Sequence, residues 1–286
     1  MKKFLKALFE SCGYSIHRIG GPPAPPPPLI RCPPLQPLRV ELFPGWPVEL
    51  DLSDDVQRQA LHAGAGYEAP GPQLLRSFCN TPGTTFFDIG ANFGYYSHFM
   101  LAHCPHVSVH SFEPNPTHAR SQQAVANNEL AAGRYFPHQL GLSDGAGELA
   151  LTVSSINTGW STFGSNPDFK GLENSLATHR VPVMSFDAWC AEQKISLPST
   201  PAWVAKLDVE GFEPKVLRGM EGALRAHAFK VLLIEVLDHT LNFCGSSAEE
   251  LFGIMGRAGY APFDEHLQPT ERQAREARNV IFLPRA

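Results

Sequence analysis

Apolar positions along this chain fall into two rhythms. Short dense or alternating runs predict strands at 85–89, 107–112, 135–140, 148–153, 180–184, Trp203–Leu207, 229–236, Tyr260–Phe263 and 279–283. Between them, apolar residues recur at helical spacing. One such segment runs through Leu101, another covers 117–130 with Ala119, Ala124 and Val125 inward, and a third covers 213–227 with Val216, Leu217, Met220 and Leu224 inward. A fourth, to about residue 258, opens on the capping box Ser247-Ala-Glu-Glu250. Strands that alternate with helices predict a parallel sheet covered on both faces. The run 229–236 is apolar nearly throughout, as a central strand buried on both sides should be. The last two strands are expected to close the sheet as an antiparallel pair. Ahead of this core, residues 48–52 read as a strand, 54–63 as a short helix, and Leu74, Leu75 and Phe78 mark another helix.

The first 37 residues have a different texture. Phe4, Leu5, Leu8, Phe9 and Cys12 follow Lys2 and Lys3 at helical spacing. Lys6 and Glu10 break the apolar core that a signal peptide needs, and no run approaches the roughly 20 apolar residues of a membrane span. The segment 1–20 therefore reads as an amphipathic helix that docks on its own domain or a partner. Peripheral contact with an anionic membrane face is the alternative. Residues 21–37 form a proline tract, which favours polyproline II and a stiff linker. The expected organisation is helix 1–20, linker 21–37, lead-in or cap 38–81, and a core domain 82–286.

Charge and cysteine usage narrow the function. With 23 Lys+Arg against 28 Asp+Glu, the formal charge is −5, which argues against a nucleic-acid surface. The 6 cysteines are scattered without a Cys-x-x-Cys pair, so neither a zinc site nor a disulfide framework is indicated. A reducing, cytoplasmic compartment fits.

Candidate chemistry begins at Asp88-Ile89-Gly90-Ala91-Asn92-Phe93-Gly94, a strand end followed by a glycine turn and a helix. That order builds a ligand crevice at the carboxyl end of a strand in an open α/β sheet. The Gly-x-x-x-Gly spacing is not that of dinucleotide folds. One βα unit further on, the next strand ends at Glu113, where a carboxylate can accept hydrogen bonds from the vicinal hydroxyls of a ribose. The bland alternative for Glu113 is a cap on the following helix. Residues 154–174 form a polar insertion containing Trp160, either a surface loop or an aromatic platform for a polyol.

Together, the Asp88-to-Gly94 turn and Glu113 resemble motifs I and II of S-adenosylmethionine-dependent methyltransferases. The run Lys206-Leu-Asp208-Val-Glu210-Gly-Phe-Glu213, continued to Leu217-Arg-Gly219, resembles the FkbM family. The likeness extends from about Tyr67 to the C-terminus. It implies a class I methyltransferase fold: α/β, a Rossmann-like three-layer sandwich with a seven-strand mixed sheet whose last strand is antiparallel. It also implies S-adenosylmethionine as donor and usually a hydroxyl oxygen as acceptor. Asp88, Gly90, Asn92, Gly94 and Glu113 are then the cofactor candidates. Asp144 joins them, because the end of the third strand meets the adenine in such folds. Tyr67 and Glu68 correspond to a pair that lies over the crevice.

A hydroxyl must lose its proton on methylation, so a base or a metal is expected where the fourth and fifth strands end. Asp208 is the first choice, with Lys206 orienting it and Glu210, Glu213 and Glu235 nearby. Alternatively Asp208, Glu210 and Glu235 hold a divalent cation, although no full ligand set is visible. The expected activity is O-methylation of a carbohydrate or glycosylated metabolite. The rival is a non-catalytic binding or scaffold protein that keeps the fold. Intact glycines, Glu113 and the whole Lys206-to-Gly219 run speak against that rival.

Overall fold

The computed structural model describes residues 37–200, 202–270 and 279–285. The expected N-terminal helix and all but the last residue of the proline linker lie outside the described residues. A hairpin of β1 (Leu38–Phe43) and β2 (Trp46–Leu50) leads into α1 (Asp55–Ala63) and α2 (Gly71–Cys79). The core opens with β3 (Thr85–Ile89), α3 (Tyr95–His103), β4 (Ser108–Phe112), α4 (Ala119–Ala126) and β5 (Tyr135–His138). An excursion follows through β6 (Gly141–Leu142), β7 (Gly147–Ser154) and β8 (Leu176–Met184). The chain returns as α5 (Phe186–Glu192), β9 (Trp203–Leu207), α6 (Glu213–Arg218), α7 (Glu221–Arg225) and β10 (Phe229–Glu235). It finishes with α8 (Asp238–Phe243), α9 (Ala248–Arg257), β11 (Tyr260–Phe263) and β12 (Asn279–Pro284).

Seven strands form the main sheet in the order β11-β12-β10-β9-β3-β4-β5. Strand β12 is antiparallel to both its neighbours, and the pairs from β10 to β5 are parallel. This is the class I methyltransferase sandwich that the FkbM-like motifs imply. The strand order reverses between β3 and β9, and a crevice opens there outside the carboxyl ends of both strands. Register across this switch point sets Asp88 opposite Lys206 and Ile89 opposite Leu207.

Alternation along the strands sends neighbouring residues into two apolar layers. Phe87, Ala205 and Leu232 face the layer under α5 to α9. Phe86, Val204 and Leu233 face the layer that holds α3 and the β1–β2 hairpin. Phe43 packs edge-on against Phe99, and the Trp46 indole N–H donates to His98 Nδ1 at 2.9 Å, so the hairpin is stapled to α3.

Two local expectations need revision. The helix expected over 213–227 is broken into α6 and α7 at Gly219, where Asp187 takes over the backbone groups: its N–H donates to the Gly219 carbonyl at 3.0 Å, and its carboxylate accepts from the Gly222 and Ala223 N–H groups at 2.7 and 3.2 Å. The helix expected over 117–130 ends at Ala126, after which the Asn128 side chain caps a short turn by accepting from the Leu130 N–H at 3.0 Å. Strands β7 and β8 pair with each other, and β8 also with β6, in a small sheet of their own.

Candidate active site

The turn after β3 is held by three kinds of contact. Asp88 is fully buried, and its Oδ2 accepts from the Ser97 N–H at 3.0 Å and the Ser97 hydroxyl at 2.6 Å. Burial pushes its carboxyl up, while Lys206 and the Ser97 hydrogen bonds pull it back down. Asp88 therefore ties β3 to the start of α3 and stands outside the cavity lining, although its place in the motif makes it a cofactor candidate. Gly94 also stands away from the cavity wall. It adopts φ +93°, a left-handed conformation that glycine enters without penalty, and opens α3. Gly90, at φ +76°, lines the cavity, but its missing side chain serves a backbone neighbour. A Cβ there would lie 1.8 Å from the Asp208 carbonyl oxygen.

Asn92 and Glu113 meet beside this turn. The Glu113 carboxylate accepts from the Asn92 N–H through one oxygen and the Asn115 N–H through the other, both at 2.8 Å. The backbone thus fixes its plane, and each oxygen retains a second lone pair. Burial raises its pKa to about 7, against the two backbone hydrogen bonds and Lys206, which lower it. Glu113 lines the cavity together with an apolar wall of Ile89, Phe112, Leu140 and Leu142.

Asp144 lies apart from these residues. After β5 the chain pairs into the small sheet, and the turn at Asp144 is carried outside the cavity lining. Its carboxylate instead lies 3.7 Å from the Arg218 guanidinium.

Opposite Glu113, β9 delivers Lys206 and Asp208. Lys206 Nζ is buried, donates to the Gly90 carbonyl at 2.6 Å and lies 3.4 Å from Asp208 Oδ2. Burial disfavours its charge, but Asp208, Asp88, Glu68 and Glu235 outweigh it and hold the ammonium protonated above the usual lysine range. Lys206 is therefore held as a cation beside Asp208. The Asp208 side chain is about 30% exposed and lines the cavity. Glu210 and Glu235 line it too, and one carboxylate oxygen from each of the three acids falls within 4.8 Å of the others. Glu213 is different. It accepts from the Val209 and Gly211 N–H groups at 2.9 and 3.3 Å, clamping the loop before α6, and burial raises its pKa to about 7. It does not line the cavity.

The outer wall comes from the lead-in and the insertion. Asp55, Gln59, Tyr67 and Glu68 contribute from one side, and residues 157–161 with Phe163 from the other. Trp160 is 42% exposed at this rim. The enclosed volume is about 410 Å³, within the usual size of a small-molecule site. The parts not anticipated are Asp54 and Thr158, whose side chains join the two walls. Asp54 carries only the signal of a helix N-cap, and nothing local announces its partner.

A family model for the methyltransferase FkbM domain matches residues 88–262, more than half of the chain. The chain belongs to the FkbM methyltransferase family. It is 29% identical over 149 residues to the hexuronic acid methyltransferase AglP of Haloferax volcanii, covering 52% of this chain and 54% of that protein. It is 28% identical over 161 residues to the 31-O-demethyl-FK506 methyltransferase FkbM of Streptomyces tacrolimicus, covering 50% of this chain and 61% of that one. The chain thus spans little more than half the length of these FkbM-type relatives. Among solved structures, it is similar to a TehB-like SAM-dependent methyltransferase from Corynebacterium glutamicum, with a TM-score of 0.41 and 12% identity over 80% of this chain and 96% of that one. No helix among the described residues is long and apolar enough to cross a membrane.

Proposed function

We propose that this FkbM-family enzyme methylates a hydroxyl oxygen of a carbohydrate or glycosylated metabolite, with S-adenosylmethionine as donor. The observation that carries the reading is the convergence of Glu113 and Asp208 on one cavity at the switch point of the sheet. The residues present fit the cofactor: a backbone-fixed carboxylate for a diol, and an apolar wall for an aromatic base. When bound, S-adenosylmethionine supplies a methyl group made electrophilic by its sulfonium. Glu113 would accept from its ribose hydroxyls, and Ile89, Phe112, Leu140 and Leu142 would shield its adenine from water.

On the acceptor side, Asp208 takes the hydroxyl proton, and the Lys206 ammonium orients the carboxylate. Holding the two reactants in line within about 3–3.5 Å supplies much of the acceleration, and the enclosed wall of lead-in and insertion serves that purpose. Trp160 offers an apolar face on which a sugar ring stacks. The names of the two relatives support an oxygen or sugar acceptor. The rival scaffold reading finds no support in a cavity whose acids and glycines are all retained.

The close grouping of Asp208, Glu210 and Glu235 favours one second reading, in which the three carboxylates hold a hard divalent cation that lowers the pKa of the acceptor hydroxyl. Transfer of labelled methyl to a sugar-acceptor panel, with and without a chelator, separates the two. Chelator-insensitive turnover supports the base, and turnover lost to the chelator and restored by magnesium or manganese supports the cation. An Asp208→Asn enzyme with near-normal turnover sinks both.

A further inference from the structure

Three segments remote in sequence meet at one threonine. The Thr158 hydroxyl donates to Asp54 Oδ2 at 2.8 Å, and its N–H donates to Asp54 Oδ1 at 3.1 Å. The same hydroxyl accepts from Asn92 Nδ2 at 3.2 Å, while Asn92 Oδ1 is taken by the Phe93 N–H at 2.7 Å. Asn92 in turn donates its own N–H to Glu113. Asp54 also caps α1 and accepts from Gln57 Nε2 at 3.1 Å. The turn is fixed at its other end as well: the Ser161 hydroxyl donates to the Thr158 carbonyl at 2.7 Å and accepts from Asn115 Nδ2 at 3.4 Å. Asn92, Glu113 and Thr158 line the cavity, and Asp54, just behind that lining, is buried as Thr158 is.

We propose that Thr158 and Asp54 are positioning residues: they fasten the 157–161 turn between α1 and the Asn92 turn, so that ligand binding at Glu113 is coupled to the presentation of Trp160. This deepens the methyl-transfer reading and rests on its cofactor assignment. Neither residue touches the reacting atoms. Thr158→Val keeps the shape and removes the hydroxyl, which releases Asn92 Nδ2 and leaves Asp54 Oδ2 with Gln57 Nε2 as its remaining side-chain donor. Charge-assisted hydrogen bonds to a buried carboxylate are the strong kind, so this joint is the one that counts in the chain of contacts.

The fold provides its own reporter. Trp46, Trp189 and Trp203 are buried, and Trp160 alone is exposed, so iodide quenching of tryptophan emission reads the 157–161 turn. The test uses the full chain with S-adenosylhomocysteine, by calorimetry and by quenching. Thr158→Val is expected to weaken binding roughly three- to tenfold and to raise the quenching of the ligand-free protein. It should also abolish any change in quenching on ligand addition, and Thr158→Ser should restore all three. A folded Thr158→Val chain that binds and quenches as the wild type does overturns the proposal, even if its melting temperature falls. A wild-type chain that binds no S-adenosylhomocysteine overturns the cofactor reading and the coupling together. Should Thr158→Val not fold, Asp54→Asn is read by the same two measurements, with the same expected and refuting results.

Discussion

Glu113 offers the sharpest test of the cofactor assignment. Its two oxygens each hold one backbone N–H at 2.8 Å, which fixes the carboxylate where it lines the cavity. Hydrogen bonds to a charged group contribute about 1.5–3 kcal/mol. Glu113→Ala should therefore weaken S-adenosylhomocysteine roughly 10- to 150-fold in calorimetry at pH 8. The pH dependence is a second handle. Burial raises the folded pKa from 4.5 to about 7, and hydrogen bonding from ribose favours the ionised form. Affinity should thus fall as the pH drops below about 7, and the Ala variant should lose that slope. Stability of the ligand-free protein runs the other way. Because the folded pKa lies above the unfolded one, the contribution of Glu113 is fully present below pH 4.5 and is lost as the pH rises to about 7. A folded Glu113→Ala protein with unchanged affinity, or a wild type whose affinity is flat from pH 5.5 to 8, refutes the assignment.

The other predictions are simpler. Asp208→Asn should keep the fold and lose roughly 10²-fold or more in turnover, read by methyl transfer to an identified acceptor. Gly90→Ala should cost about 2–6 kcal/mol in denaturant unfolding, since the new Cβ meets the Asp208 carbonyl and the φ is strained. Gly145→Ala, where nothing lies within 4 Å, should change stability by no more than about 0.5 kcal/mol. Asp144→Ala should leave the affinity for S-adenosylhomocysteine within about twofold, because its carboxylate faces Arg218 and not the cavity.

The parts of this molecule legible in sequence are those decided locally. An apolar run, a glycine turn and an acid one βα unit later place Asn92 and Glu113 on the cavity, and the dense run 229–235 reads correctly as a central strand. What sequence leaves open depends on partners far along the chain. Asp54 and Thr158 are 104 residues apart, and only the folded sheet brings them together. Asp144 sits beside a glycine in an ordinary turn, and its removal from the crevice follows from β6 pairing with β8, a contact no local signal announces. The acids after β9 pose a similar difficulty. Spacing alone cannot tell that Glu213 folds back to clamp its own loop while Glu210, held at φ +53°, borders the cavity. Even at Gly90 the residue type is legible while its cause is not, because the neighbour that demands glycine is the peptide carbonyl of Asp208.

That backbone contact has a bearing on how such an enzyme changes its substrate. Gly90 touches the Asp208 carbonyl, the Asp208 N–H donates to the Ile89 carbonyl at 3.1 Å, and Lys206 reaches back to the Gly90 carbonyl. On the proposed reading, the turn that holds the methyl donor and the strand end that takes the proton are thus tied directly to each other. The outer wall, α1 with Tyr67 and Glu68 on one side and 157–163 on the other, lies outside that tie. If the acceptor is an alcohol as proposed, re-targeting is then a matter of grafting those two segments as a matched pair, with the Asp54–Thr158 joint carried over intact.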